Sequence, residues 1–273
     1  MSKYLSMRNP LIASRTEGTA TSDSTLQGEQ KGRFVPRFAV ESWAALAPGL
    51  STKSQWLDWF RDPQPLAGEV ALDMAWMPAA LRRRVNPLGR AALNVLAKCQ
   101  PADPCPIVFA SRYGDLEGTA ALLAQLHQEG VASPMGFSLA VHNAAVGIYS
   151  IARGDRAGTT SIAATVDLAE AACCEALCYL ATEAAQVMVV CCGEPVPAPY
   201  EPTDGVPQFR YAWACLLRAV DSGGISLTAG CSTPAVGDQL GAASLRALAF
   251  LAGGCGAQLS SETGRYLWQR HDC

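Results

Sequence analysis

Residues 133–147 of the chain read SPMGFSLAVHNAAVG, and residues 160–167 read TSIAATVD. In the first stretch, the Ser-Pro pair predicts a turn over Ser133–Phe137. The apolar and small residues that follow predict a helix over Leu139–Arg153, whose alanines and glycine permit close packing. The first stretch therefore predicts a turn that leads into a closely packed helix.

The second stretch predicts a strand that runs into another helix. Its β-branched and apolar residues favour a strand over Thr159–Val166. Asp167 is a good N-cap residue for an alanine-rich helix over Leu168–Ala184. Two continuous apolar runs, Pro106–Ser111 and Val187–Cys192, predict strands that are buried on both faces.

The remaining pattern is also an alternation of helices and strands. Spacing of apolar residues by three and four predicts a helix over Pro78–Ala97. Further helices are predicted over Gly118–Gly130 and Gln239–Leu251. The segments Phe209–Ala219 and Ile225–Ala229 predict two strands joined by a turn. Alternating helices and strands that are buried on both faces predict an α/β layered fold.

Composition excludes several classes of protein. The chain has 273 residues, of which 49% are hydrophobic and 16% charged, and its formal net charge is −3. Such a chain is apolar enough to form a large core, and it carries no basic footprint for nucleic acid or for an anionic membrane surface. No charge-free stretch is long enough to span a bilayer, and no secretory signal is recognisable. We expect a cytoplasmic protein with no membrane or nucleic-acid partner.

The cysteines and histidines predict neither disulfides nor a metal site. The eleven cysteines are an odd number, several lie inside apolar runs, and the chain has only three histidines. Buried thiols in a reducing compartment behave as small core residues. No Cys-x-x-Cys pair, nucleophile elbow, phosphate loop or dinucleotide fingerprint is present, so we expect no metal and no cofactor.

A set of short matches resembles the N-terminal half of β-ketoacyl synthases. The matching residues are Asn143 and Gly147, Ser161–Ala163, Cys192–Glu194, Arg83–Arg84, and Ile107–Ser111 with Gly114. The resemblance implies a truncated thiolase-like fold: a layered αβα arrangement with an incomplete second half. It also implies three segments, namely a disordered leader over 1–33, a ketosynthase-like N-terminal half over 34–200, and a remnant of the second half, a hairpin plus a helix, over 201–273.

The position that carries the nucleophile in that family is occupied differently here. A working ketosynthase has a cysteine at the N-terminus of a helix and two histidines from the second half. A gapless count places Val166 at the nucleophile position, and a one-residue offset places Asp167 there. Cys173 and Cys174 lie about two turns into the helix, away from the positive end of the helix dipole at its N-terminus. The resemblance therefore implies a catalytically inactive relative.

Such a relative resembles a chain length factor, of the short kind found in aryl polyene pathways. This resemblance implies an obligate heterodimer with a catalytic β-ketoacyl synthase, and contact with acyl carrier protein through that partner. It implies an interface along Thr160, Ser161, Ile162, Ala163, Ala164 and Thr165, with Met135, Gly136 and Phe137 beside the acyl tunnel. His142 is predicted to be a structural or interface histidine.

Two other functions remain open from the sequence. One is an independent acyltransferase or thioester hydrolase that uses an unrecognised serine or cysteine. The other is a scaffold that binds acyl carrier protein without shaping the product. Thioester turnover by the isolated chain would favour the first, and product lengths that do not respond to tunnel mutations would favour the second.

Overall fold

The computed structural model describes residues 36–271, apart from residues 100, 102, 183, 199, 201–207, 231, 235–239, 241 and 255. The strands are β1 Arg37–Leu46, β2 Ile107–Ser111, β3 Thr159–Ile162, β4 Gln186–Gly193, β5 Tyr211–Val220, β6 Ile225–Ala229, β7 Gln258–Ser260 and β8 Tyr266–Arg270. The helices are α1 Lys53–Arg61, α2 Ala79–Arg82, α3 Pro87–Lys98, α4 Leu116–Glu129, α5 Pro134–Ala140, α6 Ala144–Arg153, α7 Leu168–Thr182 and α8 Ala243–Leu251. The predicted leader, residues 1–33, lies outside the described residues.

The strands form a single mixed sheet in the order β3-β2-β4-β5-β1-β6-β8-β7. β3, β2 and β4 are parallel to one another, and every other pairing is antiparallel. Parallel strands need crossover helices, which explains why the helices α4 to α7 connect β2, β3 and β4. β3 is the edge strand on the parallel side of the sheet.

Helices cover both faces of the sheet. Along β4, Val187, Val189 and Cys191 point to the face covered by α1, α7 and α8. The alternate residues Met188 and Val190 point to the opposite face, which α3 and α6 cover. This alternation follows from the two-residue period of a strand, and it explains why β4 is apolar at almost every position. The predicted layered αβα fold is confirmed.

The hairpin predicted for the C-terminal segment is wrong, because β1 lies between β5 and β6. Phe38 of β1 pairs with Ala219 of β5 and also with Ile225 of β6. The turn between β5 and β6 therefore crosses over the end of β1. The segment bounds 34–200 and 201–273 remain predictions.

The predicted helix over Pro78–Ala97 is two helices, α2 and α3. Asn86 caps α3, and its Oδ1 accepts the Gly89 N–H at 2.6 Å. Pro87, which has no N–H and whose ring would clash with the carbonyl four residues earlier, cannot lie inside a continuous helix. A proline therefore begins a helix here rather than extending one.

The region of residues 133–166 also differs from prediction. The segment Ser133–Phe137 is not a separate turn: Ser133 caps α5, with its Oγ accepting the Gly136 N–H at 3.1 Å. The helix predicted over Leu139–Arg153 is broken, because Val141 is extended and α5 and α6 meet at a bend of 90°. The strand predicted over Thr159–Val166 ends at Ile162.

Within the described ranges, no single helix is both long and apolar enough to cross a bilayer. The bent pair α5 and α6 reaches that length and composition only when its two helices are counted together.

Candidate functional site

A small pocket lies where β2 and β4 end and α7 begins. Its walls include Ser111, Gly114, Val166, Cys192 and Glu194. Carboxyl ends of parallel strands and helix N-termini are common binding positions in α/β proteins. The space open to the centres of water molecules is about 50 Å³, enough for a few waters.

The turn from β3 into α7 places Val166 on this pocket. The Val166 side chain is 38% exposed. Asp167, the next residue, has a φ of 53°, a left-handed conformation that is uncommon for residues other than glycine. Nucleophilic residues often occupy such strained turns between a strand and a helix. The structure places Val166 and Asp167 at this turn between a strand and a helix. That one of them occupies the nucleophile position stays a prediction.

The Asp167 side chain is engaged by the loop between β7 and β8. Its Oδ1 accepts the Thr263 N–H at 3.2 Å, and its Oδ2 accepts the Thr263 hydroxyl. The Asp167 carbonyl accepts the Ala171 N–H at 2.9 Å, as expected for a residue at the N-cap position. Asp167 thus begins α7, while its buried carboxylate fastens a distant loop.

One turn further along α7, Glu170 is buried. One of its carboxylate oxygens accepts the Trp268 Nε1–H at 2.8 Å. Burial raises the pKa of Glu170, an effect that the Trp268 hydrogen bond opposes. Sequence reasoning missed both Glu170 and Thr263, since the only local signal was a carboxylate in an apolar helix.

The thiols with shifted pKa values are poorly suited to nucleophilic chemistry. Burial raises the pKa of Cys173, of Cys174 and of the pocket-lining Cys192. It raises that of Cys99 to about 12 and that of Cys105 to about 11. A reactive cysteine needs a lowered pKa, so these thiols favour the protonated, inert form.

His142 links three elements. Its Nε2 lies 3.3 Å from the Ser111 Oγ at the end of β2. Its ring packs edge-on against that of Phe109, with 5.6 Å between the ring centroids. The Ser111 Oγ also accepts the Gly114 N–H at 2.8 Å. Burial lowers the pKa of His142, while a hydrogen bond to the backbone of Ile162 opposes that change. His142 therefore joins the bend between α5 and α6 to β2 and β3.

The residues predicted to line a tunnel are not in the pocket. Met135 and Phe137, on α5, are 66% and 67% exposed. Phe137 lines a separate apolar groove between α4 and α5, of about 250 Å³, with Leu122, Leu123, Leu126 and Val141. Gly136 faces the same helix, because a Cβ atom there would lie 3.0 Å from the Leu122 Cδ2.

The residues predicted to form an interface divide between the edge strand and the pocket. Thr160, Ser161 and Ile162 belong to β3, which pairs with β2 on one side. Ala163 lies in the following loop, and Ala164 and Thr165 line the pocket beside Val166. Among the described residues, no group of three or more His, Cys, Asp or Glu could hold a metal ion.

The fold is similar to that of solved ketosynthase structures. A complex of a ketosynthase with its chain length factor from Xenorhabdus doucetiae contains a chain that is 24% identical, with a TM-score of 0.72; the match covers 86% of this chain and 99% of that one. The ishigamide ketosynthase/chain length factor gives 16% identity and a TM-score of 0.55, over 71% of this chain and 67% of that one.

A third similar chain comes from the structure of a type II polyketide synthase acyl carrier protein in complex with its ketosynthase bound to the hexaketide. That chain is 14% identical, with a TM-score of 0.54; the match covers 72% of this chain and 70% of that one. No curated protein matches the sequence. The family model of the β-ketoacyl synthase N-terminal domain matches residues 56–269. The chain belongs to the family of the β-ketoacyl synthase N-terminal domain.

Proposed function

We propose that this chain is a chain length factor, a non-catalytic subunit that pairs with an active β-ketoacyl synthase and helps to set the length of its product. The observation that carries the proposal is the turn into α7. Val166 lines the pocket there, and the carboxylate of Asp167 accepts hydrogen bonds from the Thr263 N–H and hydroxyl. The helix N-terminus that would activate a thiolate thus has no thiol to activate.

An exposed apolar surface supports the proposed partnership. Large side chains on and between α4, α5 and α6 face solvent: Leu123, Leu126, Val131, Met135, Phe137, Val141 and Ile151. We call these seven residues the apolar face. Four of them, Leu123, Leu126, Phe137 and Val141, line one groove, and contiguous exposed apolar patches on soluble proteins mark interaction sites. A partner that covers the apolar face would remove this surface from water, and the hydrophobic effect would drive the association.

The edge strand offers a second point of attachment. β3 pairs with β2 on one side, and its other side has no strand neighbour in the described sheet. An exposed edge is a template for pairing with another chain. Two of the similar structures named above are described as ketosynthases with chain length factors. We therefore assign β3 and the apolar face to the contact with a β-ketoacyl synthase.

The groove between α4 and α5 supports the role in product length. Its lining is almost entirely apolar, and Phe137 and Leu126 contribute to it. Such a wall acts on a hydrocarbon chain through volume and packing alone. An acyl carrier protein would deliver the chain to the partner's active site.

One observation favours a second candidate, thioester hydrolysis by this chain itself. The Ser111 Oγ accepts the Gly114 N–H and lies 3.3 Å from His142 Nε2. A serine nucleophile needs a base within such reach of its hydroxyl. Against this function, Ser111 is only 1% exposed. Turnover of an acyl thioester by the purified chain, lost in Ser111→Ala, would support hydrolysis and contradict the non-catalytic role.

Co-expression with a catalytic β-ketoacyl synthase tests the partnership. We expect the two chains to co-purify as a heterodimer whose mass is measured by light scattering. The double variant Leu123→Asp/Phe137→Asp should abolish co-purification, because it places charge in a buried contact. Leu72→Asp, at an exposed leucine outside the apolar face, is the matched control. Co-purification that survives the double variant would remove the apolar face from the proposal.

The activity of the complex tests the remaining parts. Val166→Cys in the isolated chain should give no condensation, because the partner's histidines are absent. Gly136→Phe in the complex should shorten the products, since the new side chain would crowd Leu122, which lines the groove. Condensation by the isolated Val166→Cys chain would contradict the non-catalytic assignment, and unchanged product lengths would contradict the role of α5.

A further inference from the structure

One arginine bridges the sheet and helix α4. Arg210, the residue before β5, lies between Glu194, which follows β4, and Glu117 in the first turn of α4. Its Nε donates to Glu194 Oε2 at 2.9 Å, and its Nη2 lies 3.6 Å from Glu117 Oε2. A single guanidinium, with its fixed fork of donors, therefore joins carboxylates from two elements.

The two ends of this bridge differ in burial. The Glu194 side chain is 7% exposed and lines the candidate pocket, whereas the Glu117 side chain is 64% exposed. Burial raises the pKa of Glu194, the hydrogen bond and charge of Arg210 oppose that change, and the nearby carboxylates of Asp115 and Glu117 add to it. A buried carboxylate is costly without its cation. Arg210 is therefore anchored at Glu194 and reaches out to Glu117.

Burial does not fix the orientation of α4. None of its residues is buried, and its contacts are chiefly with α5, which also belongs to the open surface. Nine residues separate Glu117 from Leu126, about two and a half helical turns, so their side chains leave α4 on opposite sides. The side of α4 that is held by Arg210 thus decides where Leu126, a member of the apolar face, is presented.

We propose that Arg210 is a positioning residue for the apolar face: held by Glu194 and bound to Glu117, it sets the orientation in which α4 meets a ketosynthase partner. This inference rests on the proposed function, which assigns the apolar face to that partner. A preformed surface binds more tightly than one that must first be ordered, because the cost of ordering is already met in the free chain. The bridge would lower that cost.

The test begins with Glu117→Gln, which removes the link to α4 and keeps the buried pair of Arg210 with Glu194. Amide hydrogen exchange in the first two turns of α4, measured in the full chain alone, should become about threefold faster, as expected for an exposed ion pair. Affinity for the ketosynthase should fall about threefold. Amides of α3, which is buried in the core, should exchange as before.

A second variant separates the ion pair from the charge of Glu117 itself, because an acidic residue at a helix N-terminus stabilises the helix without any partner. Arg210→Lys keeps a positive charge beside Glu194 but lacks the fork that reaches both carboxylates. In the Arg210→Lys chain, Glu117→Gln should have little further effect on α4 exchange or on affinity. An equal effect of Glu117→Gln in both backgrounds would overturn the inference.

Glu129→Gln is the matched control, since it removes the same charge from the other end of α4, where Glu129 accepts a hydrogen bond from Gln125. It should leave exchange in the first two turns unchanged, and an equal acceleration there would contradict the role of Arg210. Faster α4 exchange in Glu117→Gln with unchanged ketosynthase affinity would contradict it too. If the unmodified chain forms no heterodimer, the proposed function fails separately, and the exchange rates still decide whether Arg210 holds α4.

Discussion

Helices α3 and α4 are both rich in leucine and alanine, but their surroundings are opposite. Eight of the twelve residues of α3 are buried, between the sheet and α6. None of the fourteen residues of α4 is buried, and its contacts are chiefly with α5. Composition therefore does not decide which helix belongs to the core.

The difference separates two regions of the molecule. In the complete region, apolar side chains are buried by other residues of this chain, and in the open region they face solvent. The layer that contains α3 is closed by residues of this chain alone, such as Met77, Leu93 and Tyr149. The α4–α5 pair instead presents leucines and Phe137 to solvent. In a folded chain, apolar side chains left in this way gain stability only when something else covers them.

The largest effect we expect is on stability, and it separates the two helices. Leu93→Ala in α3 should lower the free energy of unfolding of the isolated chain by about 2–5 kcal/mol, because Leu93 is fully buried. Leu123→Ala in α4 should change it by less than about 0.5 kcal/mol. Urea unfolding of both variants measures the difference. Equal losses would mean that α4 already belongs to a core within this chain.

Local sequence patterns were sufficient to predict strands in the complete region of the fold. The strands β2 and β4 could be predicted because the sheet is covered on both faces, which leaves a continuous apolar run. β1 could not, because Glu41 and Ser42 interrupt its pattern and its partner strand is far away, with Arg37 pairing with Val220. Pairing over such a separation leaves no local signal.

The candidate site divides in the same way. Val166 and Asp167 could be placed at the turn from matches within the adjacent stretch of sequence. The partners of the turn, Thr263 and Trp268, lie 96 and 98 residues away from Asp167 and Glu170. Folding brings these residues together, and no local pattern in the sequence indicates that they will be in contact.

A smaller effect is expected at Asp167, whose carboxylate holds the loop between β7 and β8 in the complete region. Asp167→Ala should lower the free energy of unfolding by about 1–3 kcal/mol, because the Thr263 donors lose their acceptor and the left-handed backbone is kept. Asp167→Asn should lose less, since asparagine tolerates that backbone and keeps an acceptor. Co-purification with the ketosynthase should be unaffected in both variants. If Asp167→Ala abolishes co-purification, the turn into α7 and the partner contact are not separate regions.

The smallest effect is expected at His142, which lies at the boundary between the two regions. Burial lowers its pKa below the ordinary value of 6.5. The unfolded chain therefore takes up this proton more readily than the folded chain, and the associated stability is present above pH 6.5 and is lost as the pH falls through the folded pKa. His142→Gln should flatten the decline between pH 7 and pH 5, measured by urea unfolding at each pH.

His271→Gln is the matched control, because it removes a histidine whose Nε2 lies 2.9 Å from the Ser226 Oγ, at the far side of the sheet from β3. The decline that is due to His142 should persist in this control. If His142→Gln keeps the full slope, the imidazole is not desolvated at the bend between α5 and α6. The bend would then be open to water like the apolar face, and the boundary between the complete and the open regions would move to β2.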